Sequence, residues 1–219
     1  MRKILLLLIA LMIGNTAISL AQSSMESRMK EVRKRFKTEK LAKNEAKKRE
    51  KAGWTVFEGS LPMVQQMEEN FIRQNMLDED GEPLYYFGHG SYRTDDKSAA
   101  FKNACLAARQ DIASQLETER VEAFKTDVRS EKVSSDESVT VSKAFAEGKA
   151  VVSSKLAGVR PIVRIYRRDK YQYEVEVDMY YSRDKARQIA HDAVREQLAH
   201  EDTGLKDLVN DVMDAKIKK

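Results

Sequence analysis

Residues 171–181 read YQYEVEVDMYY, and the pattern of this stretch decides the fold. Apolar or aromatic side chains alternate with mostly polar ones throughout, which is the period of a half-buried antiparallel strand. The stretch from Val159 to Arg167 predicts its partner strand, with Arg168-Asp169-Lys170 as the hairpin turn. We expect the acidic outer row of the second strand to lie in solvent and to face Arg164 or other basic side chains of the partner strand.

A third strand and a long helix are predicted ahead of this hairpin. The stretch from Leu84 to Tyr92 (LYYFGHGSY) predicts the strand, in which Gly88 and Gly90 permit a bulge or the close approach of another backbone. The stretch from Lys97 to Phe124 predicts the helix, and its inward face consists mostly of small residues: Phe101, Ala104, Cys105, Ala108, Ile112, Leu116 and Ala123. Three residues offer an N-terminal cap, namely Thr94, Asp95 and Asp96. We expect this helix to lie close against the sheet, with Cys105 as a buried and unreactive thiol.

The predicted fold class is therefore α+β. A small antiparallel or mixed sheet of about three strands packs one face against the Ala-lined helix and leaves the other face exposed. Additional helices are predicted after a Ser60 cap, from Val141 to Ala157, after a Ser182 cap, and over 203–219. The open sheet edges suggest self-association, because small domains often hide such edges in an oligomer.

Composition indicates one small domain with polar extensions. The chain is 42% apolar and 34% charged, whereas a typical soluble domain is about 45–50% apolar and about 25% charged. A multi-domain enzyme with large cores is excluded on this ground. Cys105 is the single cysteine, so no intrachain disulfide can form.

The first 21 residues predict a secretory signal peptide. Arg2 and Lys3 precede an apolar run from Ile4 to Ile13, and Ser19-Leu20-Ala21 supplies small residues for cleavage after Ala21. An uncleaved anchor is the alternative, but Gly14-Asn15 interrupts the run well before the roughly 20 apolar residues that a membrane span needs. We expect an exported product, periplasmic or secreted, which can lie at a membrane surface.

Positive charge is concentrated just after this signal. The predicted extension, 22–52, contains twelve Lys or Arg against five Glu, and a helical segment over 53–83 separates it from the α+β domain of 84–202. The extension is helical or flexible, and four readings stay open: a solvated helix, a spacer, a helix lying on the acidic remainder of the chain, and a footprint for anionic lipid or another polyanion. The residues proposed for such a surface are Arg33, Lys34, Arg35, Lys37, Lys47, Lys48 and Arg49.

Patterns that carry catalysis or bind metal are missing from the sequence. There is no Gly-x-Ser-x-Gly elbow, His-Glu-x-x-His pair or cysteine cluster. The acidic run Asp78-Glu79-Asp80-Gly81 predicts a turn instead of a calcium loop. His89 is interpreted as a bonded strand residue, and the pair Glu174 and Glu176 as a solvated strand face instead of glycosidase carboxylates. We expect no catalytic residues, no cofactor and no metal; a hydrolase site in a deep pocket is the outlying possibility.

The strand and long helix also suggest a kinship. Gly88 and Gly90 precede a helix with an Ala-spaced pattern at Ala100, Ala104, Ala108-Arg109, Ile112-Ala113 and Val121. This pattern, together with the hairpin LAGVRPIVRIYRRDKYQYEVEVDMYYSRDKA, resembles the twenty-kilodalton surface lipoprotein family named from Helicobacter, over roughly Tyr85 to Ala199. The resemblance implies a small α+β envelope domain, related to flagellar T-ring N-terminal domains, with structural or binding roles. The family's lipobox cysteine is missing here, which puts lipid anchoring in doubt.

These observations give two functional hypotheses. The first is a non-catalytic exported envelope protein that associates with itself or another envelope protein, while its basic helix meets an anionic membrane surface. No nucleic-acid partner is expected for an exported protein. The alternative is a binding module for a small apolar or aromatic ligand, with Tyr85, Tyr86, Phe87 and Tyr173 as candidate wall residues.

Overall fold

The computed structural model of the chain describes residues 24–129, 149 and 152–197. The predicted signal peptide, most of the helix predicted from Val141 and the predicted terminal helix at 203–219 lie outside these residues. The elements in order are α1 (24–36), α2 (Thr38–Lys51), β1 (Thr55–Val56), α3 (Met63–Gln74), β2 (Tyr85–Thr94), α4 (Lys97–Arg129), α5 (152–155) with a 3-10 turn (Leu156–Gly158), β3 (Val163–Asp169), β4 (Gln172–Ser182) and α6 (Arg183–Gln197).

The strands form one four-stranded sheet in the order β1-β3-β4-β2, with every neighbouring pair antiparallel. The α+β prediction is confirmed. The β3–β4 turn consists of Lys170 and Tyr171 instead of the predicted Arg168-Asp169-Lys170: Asp169 pairs with Gln172, and Lys170 takes a positive φ of 53° in the connection. The fourth strand, β1, contributes only two residues at the β3 edge, which is too short for a periodic signal.

Helix α4 covers one face of the sheet at very short range. Asp96 caps it, because its Oδ1 accepts from the Ala99 amide at 2.6 Å, as the sequence predicts. A Cβ added to Gly88 would lie 2.2 Å from the carbonyl oxygen of Ala108, and one added to Gly90 would lie 1.9 Å from that of Ala104. The predicted close approach is therefore confirmed, and no bulge is needed. The core on this face contains Ala100, Ala104, Ala108, Ile112 and Leu116 of α4 with Val175, Val177 and Met179 of β4.

The second face of the sheet is covered as well, so the expectation of an exposed face is wrong. Helices α2 and α3 pack against each other and α3 contacts β3. The resulting core joins Trp54 to residues of α2, α3 and β3, namely Ala42, Ala46, Met63, Met67, Val163 and Ile165. The two alanines of α2 give that helix a narrow apolar stripe, which is enough to bury it despite its high charge.

Helix α1 packs on the far end of α3. Val32 lies in a small cluster with Ile72 and Met76, while Met25 and Phe36 of the same helix remain more than one third exposed. Lys37 joins α1 to α2 in the left-handed conformation, with φ 49° and ψ 47°. This single residue redirects the chain between the two basic helices.

Three local expectations are corrected or confirmed by the side chains. Ser60 does not cap α3: the helix has no side-chain cap bond, and the Ser60 Oγ is buried without a partner. Cys105 is half-buried instead of fully buried, because it lies on the ridge beside the alanine stripe. The acidic run is a turn, in which Asp78 Oδ1 accepts from the amides of Asp80 and Glu82.

Both sheet edges are partly closed by the chain itself. At β2, the His89 amide donates to Asp111 Oδ2 at 3.1 Å, and Gln115 Nε2 donates to the Phe87 carbonyl at 2.5 Å. At the opposite edge β1 covers only Ile165 and Tyr166 of β3, and beside them the Arg164 amide donates to Gln66 Oε1 at 2.8 Å. These side chains occupy backbone groups that an incoming strand would need, so the edges are less open than predicted.

Candidate functional site

The acidic row of β4 is covered, and basic side chains of other elements contact each of its three carboxylates. The side chains of Glu174, Glu176 and Asp178 are only 16%, 18% and 14% exposed. Glu174 Oε2 accepts from Arg93 Nη2 at 2.6 Å and from Arg167 Nη2 at 2.8 Å. Burial alone would raise the pKa of Glu174, but these bonds outweigh it and hold the pKa below its usual value. The interpretation of Glu174 and Glu176 as a solvated face is therefore wrong, and Arg164 is not their partner.

Arg49 connects the basic helix to this acidic row. Its Nη1 donates to Glu176, its Nε donates to Glu45 at 2.9 Å, and its guanidinium lies 5.7 Å from the Trp54 ring centroid. Arg49 therefore contacts the acidic remainder of the chain, which is one of the four interpretations left open for the basic extension. Because these contacts are internal, Arg49 stabilises the fold. Its prediction as a contact with an anionic surface is corrected accordingly.

A connected polar chain lies at the end of the same row. The Tyr180 hydroxyl donates to Asn70 Oδ1, Asn70 Nδ2 donates to Asp178 Oδ2 at 3.1 Å, and Asp178 Oδ1 bonds His89 Nδ1 at 2.8 Å. The bond to Asp178 raises the pKa of His89 above its usual value. Chemically, this arrangement stabilises an imidazolium on a half-exposed strand residue, which agrees with the interpretation of His89 as bonded.

The outward side of α2 carries a row of lysines. Lys40, Lys43, Lys47 and Lys51 recur at steps of three, four and four, all are exposed, and the row runs for about 16 Å at 1.5 Å per residue. We call these four residues the lysine row. Lys43 Nζ contacts Glu39 Oε1 at 2.6 Å. Sequence reasoning named only Lys47 of this row, although the helical spacing of the other three was visible in the sequence.

The joint between α1 and α2 forms a basic groove of about 410 Å³. Five cations line it, together with Thr38, Glu39 and Glu68: Lys30, Arg33, Lys34, Lys37 and Lys40. Glu68 is already engaged, since Arg33 Nε lies 3.4 Å and Thr38 Oγ1 lies 3.2 Å from its Oε1. The predicted residues Arg33, Lys34 and Lys37 therefore converge here, whereas Lys30 and Lys40 were missed.

The two remaining predicted surface cations, Arg35 and Lys48, lie outside the groove and the row. Arg35 is exposed with its guanidinium 5.3 Å from the Phe36 ring centroid. Lys48 is exposed, with Nζ 4.0 Å from Glu45 Oε2. The groove, the lysine row and these two side chains all belong to α1, α2 and the residue between them, and together we call them the basic surface.

The predicted aromatic ligand wall is not assembled. Tyr85 and Tyr86 border an open groove near Glu119 and Arg183. Phe87 packs on Tyr180 at 5.2 Å between ring centroids. Tyr173 packs on Tyr166 at 6.3 Å, and it pairs with Thr94 at the opposite end of β2. The four residues therefore line no common cavity.

A compact ion cluster ties α4 to α6. Glu119 accepts from the Tyr86 hydroxyl, from Arg183 Nη2 at 2.8 Å and from Arg187 Nη2 at 2.8 Å. Burial opposes ionisation, yet these bonds lower the pKa of Glu119 to about 2. The cluster fixes the start of α6 against the long helix.

The described part of the chain offers neither a metal-binding cluster nor a helix that could span a membrane. Within residues 24–129, 149 and 152–197, no group of three or more His, Cys, Asp or Glu side chains is placed to hold a metal ion. No helix in that part combines the length and the apolar character needed to cross a membrane. Comparison with known proteins found no matching family model, curated protein or solved structure.

Proposed function

We propose that the protein is a non-catalytic, exported interaction module of the cell envelope, and that its basic surface holds it at an anionic membrane. The observation that carries this proposal is the lysine row, four exposed cations on one side of a helix whose other side is buried. Export, the envelope location and the kinship with the twenty-kilodalton lipoprotein family remain predictions from the sequence.

The distribution of charge supports an external anion as the partner of this surface. The acidic row of β4 is engaged internally by Arg49, Arg93, Arg167 and His89, so it is not available to the outward lysines. Near an anionic bilayer each Lys or Arg contributes about 1 kcal/mol of binding free energy. Because Lys43 already contacts Glu39, the other three residues of the lysine row would then contribute about 3 kcal/mol.

Two exposed apolar side chains favour a bilayer over a purely ionic partner. Phe36 lies next to the basic groove residue Lys37, and Leu41, 44% exposed, lies next to Lys40. Apolar side chains among lysines are typical of helices that lie in a membrane interface. The apolar contribution is small, so we expect binding to be reversible and sensitive to salt.

The test is cosedimentation of the full-length protein with vesicles of neutral lipid alone or with added anionic lipid. We expect binding only to the anionic vesicles and its loss in high salt. Replacing Lys40, Lys47 and Lys51 with Gln should reduce the partition coefficient about 100-fold, from about 3 kcal/mol lost. The control replaces Lys102, Lys170 and Lys185 with Gln, which changes net charge equally at exposed sites outside α1 and α2.

Equal losses in the two triple variants would show that net charge, not the lysine row, controls binding, and the proposal would be wrong. Tighter binding to DNA than to anionic vesicles would reassign the surface to a nucleic acid.

Self-association is part of the proposal as well. The stretch of the β2 edge most available for it is Ser91 to Arg93, whose side chains are exposed. A monomeric mass by light scattering at all concentrations would remove that part alone.

A further inference from the structure

A cleft of about 670 Å³ lies beside β3, where α4 leaves the sheet uncovered. Helix α4 packs mainly on β2 and β4, and its ridge of Phe101, Cys105 and Arg109 faces the cleft. The loop before α3 and the segment before β3 form the other walls, with Arg160 on the latter. This cleft is separate from the basic surface and from the predicted aromatic wall.

The cleft gathers hydrogen-bond donors that have no acceptor. The Nε of Arg109 and the Oγ of Ser60 are buried and unpartnered among the described residues. In that same part of the chain, Arg109 and Arg160 form no ion pair, and Arg164 Nη2 reaches only the Gly59 carbonyl oxygen, at 3.2 Å. Buried donors without an acceptor destabilise a protein unless something supplies one. The two buried donors, Arg109 Nε and Ser60 Oγ, therefore indicate a missing acceptor, and the half-buried Arg164 and the exposed Arg160 stand at the same cleft.

The charge of the cleft is positive, because its lining acid is already engaged. Glu69 is the acidic side chain among the lining residues, and Arg73 Nη2 contacts its Oε1 at 2.7 Å. The three lining arginines, Arg109, Arg160 and Arg164, keep their charge for a ligand. Guanidinium groups bind carboxylate and phosphate through paired, charge-assisted hydrogen bonds.

The rest of the lining is apolar. Phe101, Val159, Ile162 and Met179 line the cleft, and Leu61 stands at it with 54% of its surface exposed. The volume lies in the range of small-molecule sites, about 300–1,000 Å³. A bare inorganic ion would leave most of this apolar surface unused.

We propose that this cleft binds a small organic anion that joins one carboxylate or phosphate group to an apolar or aromatic body. Arg109 and Arg160 bind the anionic group, Ser60 and Arg164 orient it, and Phe101 with Leu61 contacts the apolar body. Binding at this site would make the protein a carrier or sensor of such an anion, beyond its proposed role at a membrane.

The test measures binding of three probes to the full-length protein by calorimetry: phenyl phosphate, benzoate and inorganic phosphate. Phenyl phosphate should bind saturably, and at least tenfold more tightly than inorganic phosphate; comparison with benzoate decides between phosphate and carboxylate. Because Cys105 is the single cysteine and lines the cleft, bound phenyl phosphate should also slow its alkylation. Benzyl alcohol and equal ionic strength of sodium chloride should not slow it.

Variants separate a built site from general charge. Arg109→Met and Arg160→Met should each weaken phenyl phosphate binding at least tenfold, without lowering the melting temperature of the ligand-free protein. Arg168→Met removes an exposed arginine at the other end of β3 and should leave binding unchanged, as should the lysine-row variant. Absence of saturable binding by both phenyl phosphate and benzoate would overturn the proposal, and so would equal weakening by Arg168→Met. Equal affinity for inorganic phosphate and phenyl phosphate would refute the part of the proposal that gives the ligand an apolar body.

Discussion

Replacing Gly90 with Ala tests whether α4 rests directly on β2. The new Cβ would lie 1.9 Å from the Ala104 carbonyl oxygen and 2.7 Å from the Ala108 nitrogen. Both contacts are to backbone of a helix, so no side-chain rotation can relieve them. To bring the nearer contact to even 3.0 Å, α4 must move away from the sheet by about 1 Å.

The cost follows from what that movement separates. A gap of about 0.5–1 Å forfeits a quarter to a half of each dispersion contact across the interface. The contacts at risk belong to fully buried residues, Ala100, Ala104, Ala108 and Ile112. Overpacking usually costs about 1–3 kcal/mol, and two backbone clashes place this substitution at the top of that range or above it. We expect about 3 kcal/mol of destabilisation, or a fall in Tm of about 6–12 °C for a chain of this size.

Chemical denaturation monitored by circular dichroism measures the effect. Gly158→Ala is the matched control: a Cβ there meets no atom within 4 Å and its φ is not positive, so its stability should change by no more than about 0.5 kcal/mol. If Gly90→Ala unfolds within about 1 kcal/mol of the unsubstituted protein, α4 does not rest on β2 as described and the packing argument fails.

Three further predictions concern titratable groups. Glu119→Gln should lower the free energy of unfolding by up to about 3 kcal/mol at pH 7, because the pKa of Glu119 is lowered from 4.5 to about 2. This stabilisation is present above pH 4.5 and is lost as the pH falls toward 2. A difference between the two proteins in urea denaturation that does not change with pH would refute this. The pKa of His89 should exceed 6.5 by NMR titration and fall in Asp178→Asn, because the bond to Asp178 favours the imidazolium; the stabilisation is present below pH 6.5 and lost as pH rises through the folded pKa. Burial raises the pKa of the Cys105 thiol, so iodoacetamide should react more slowly with it at pH 8 in the native protein than in urea, and equal rates would contradict its placement.

The elements with strong periodic signals could be predicted from the sequence. Alternation fixed the buried side of β4, and small residues at helical spacing predicted both α4 and its close approach to Gly88 and Gly90. Such patterns report which side of an element is buried. They do not report what covers the opposite side, which is where the prediction failed.

The second face was missed because charge was taken as a sign of exposure. Glu176 of β4 meets Arg49, which lies 127 residues earlier in the chain, and no local pattern reveals a pairing over that distance. The two buried alanines of α2, Ala42 and Ala46, stand among lysines and glutamates. Their apolar stripe is therefore too narrow to predict that one side of this helix is buried. A buried acidic row and a solvated one have the same alternation.

The candidate sites differ in the same way. The lysine row lies on one helix, so its spacing could have been found by counting three and four residues from Lys40. The cleft draws Ser60, Arg109, Arg160 and Arg164 from separate parts of the chain, and only the fold brings them together. Its strongest signal, an unpartnered Arg109 Nε, exists only in three dimensions.

The hydrogen bonds from Asp111 and Gln115 to the β2 backbone bear on how the protein could aggregate. The same helix that buries the flat side of β2 also occupies its amide and carbonyl groups at His89 and Phe87. Opening the edge at Phe87 and His89 to a neighbouring chain therefore requires these bonds to break and α4 to move aside, which disturbs the core, whereas Ser91 to Arg93 lie beyond this protection. Fibril-like growth from the edge at Phe87 and His89 is thereby coupled to cooperative unfolding instead of local fraying.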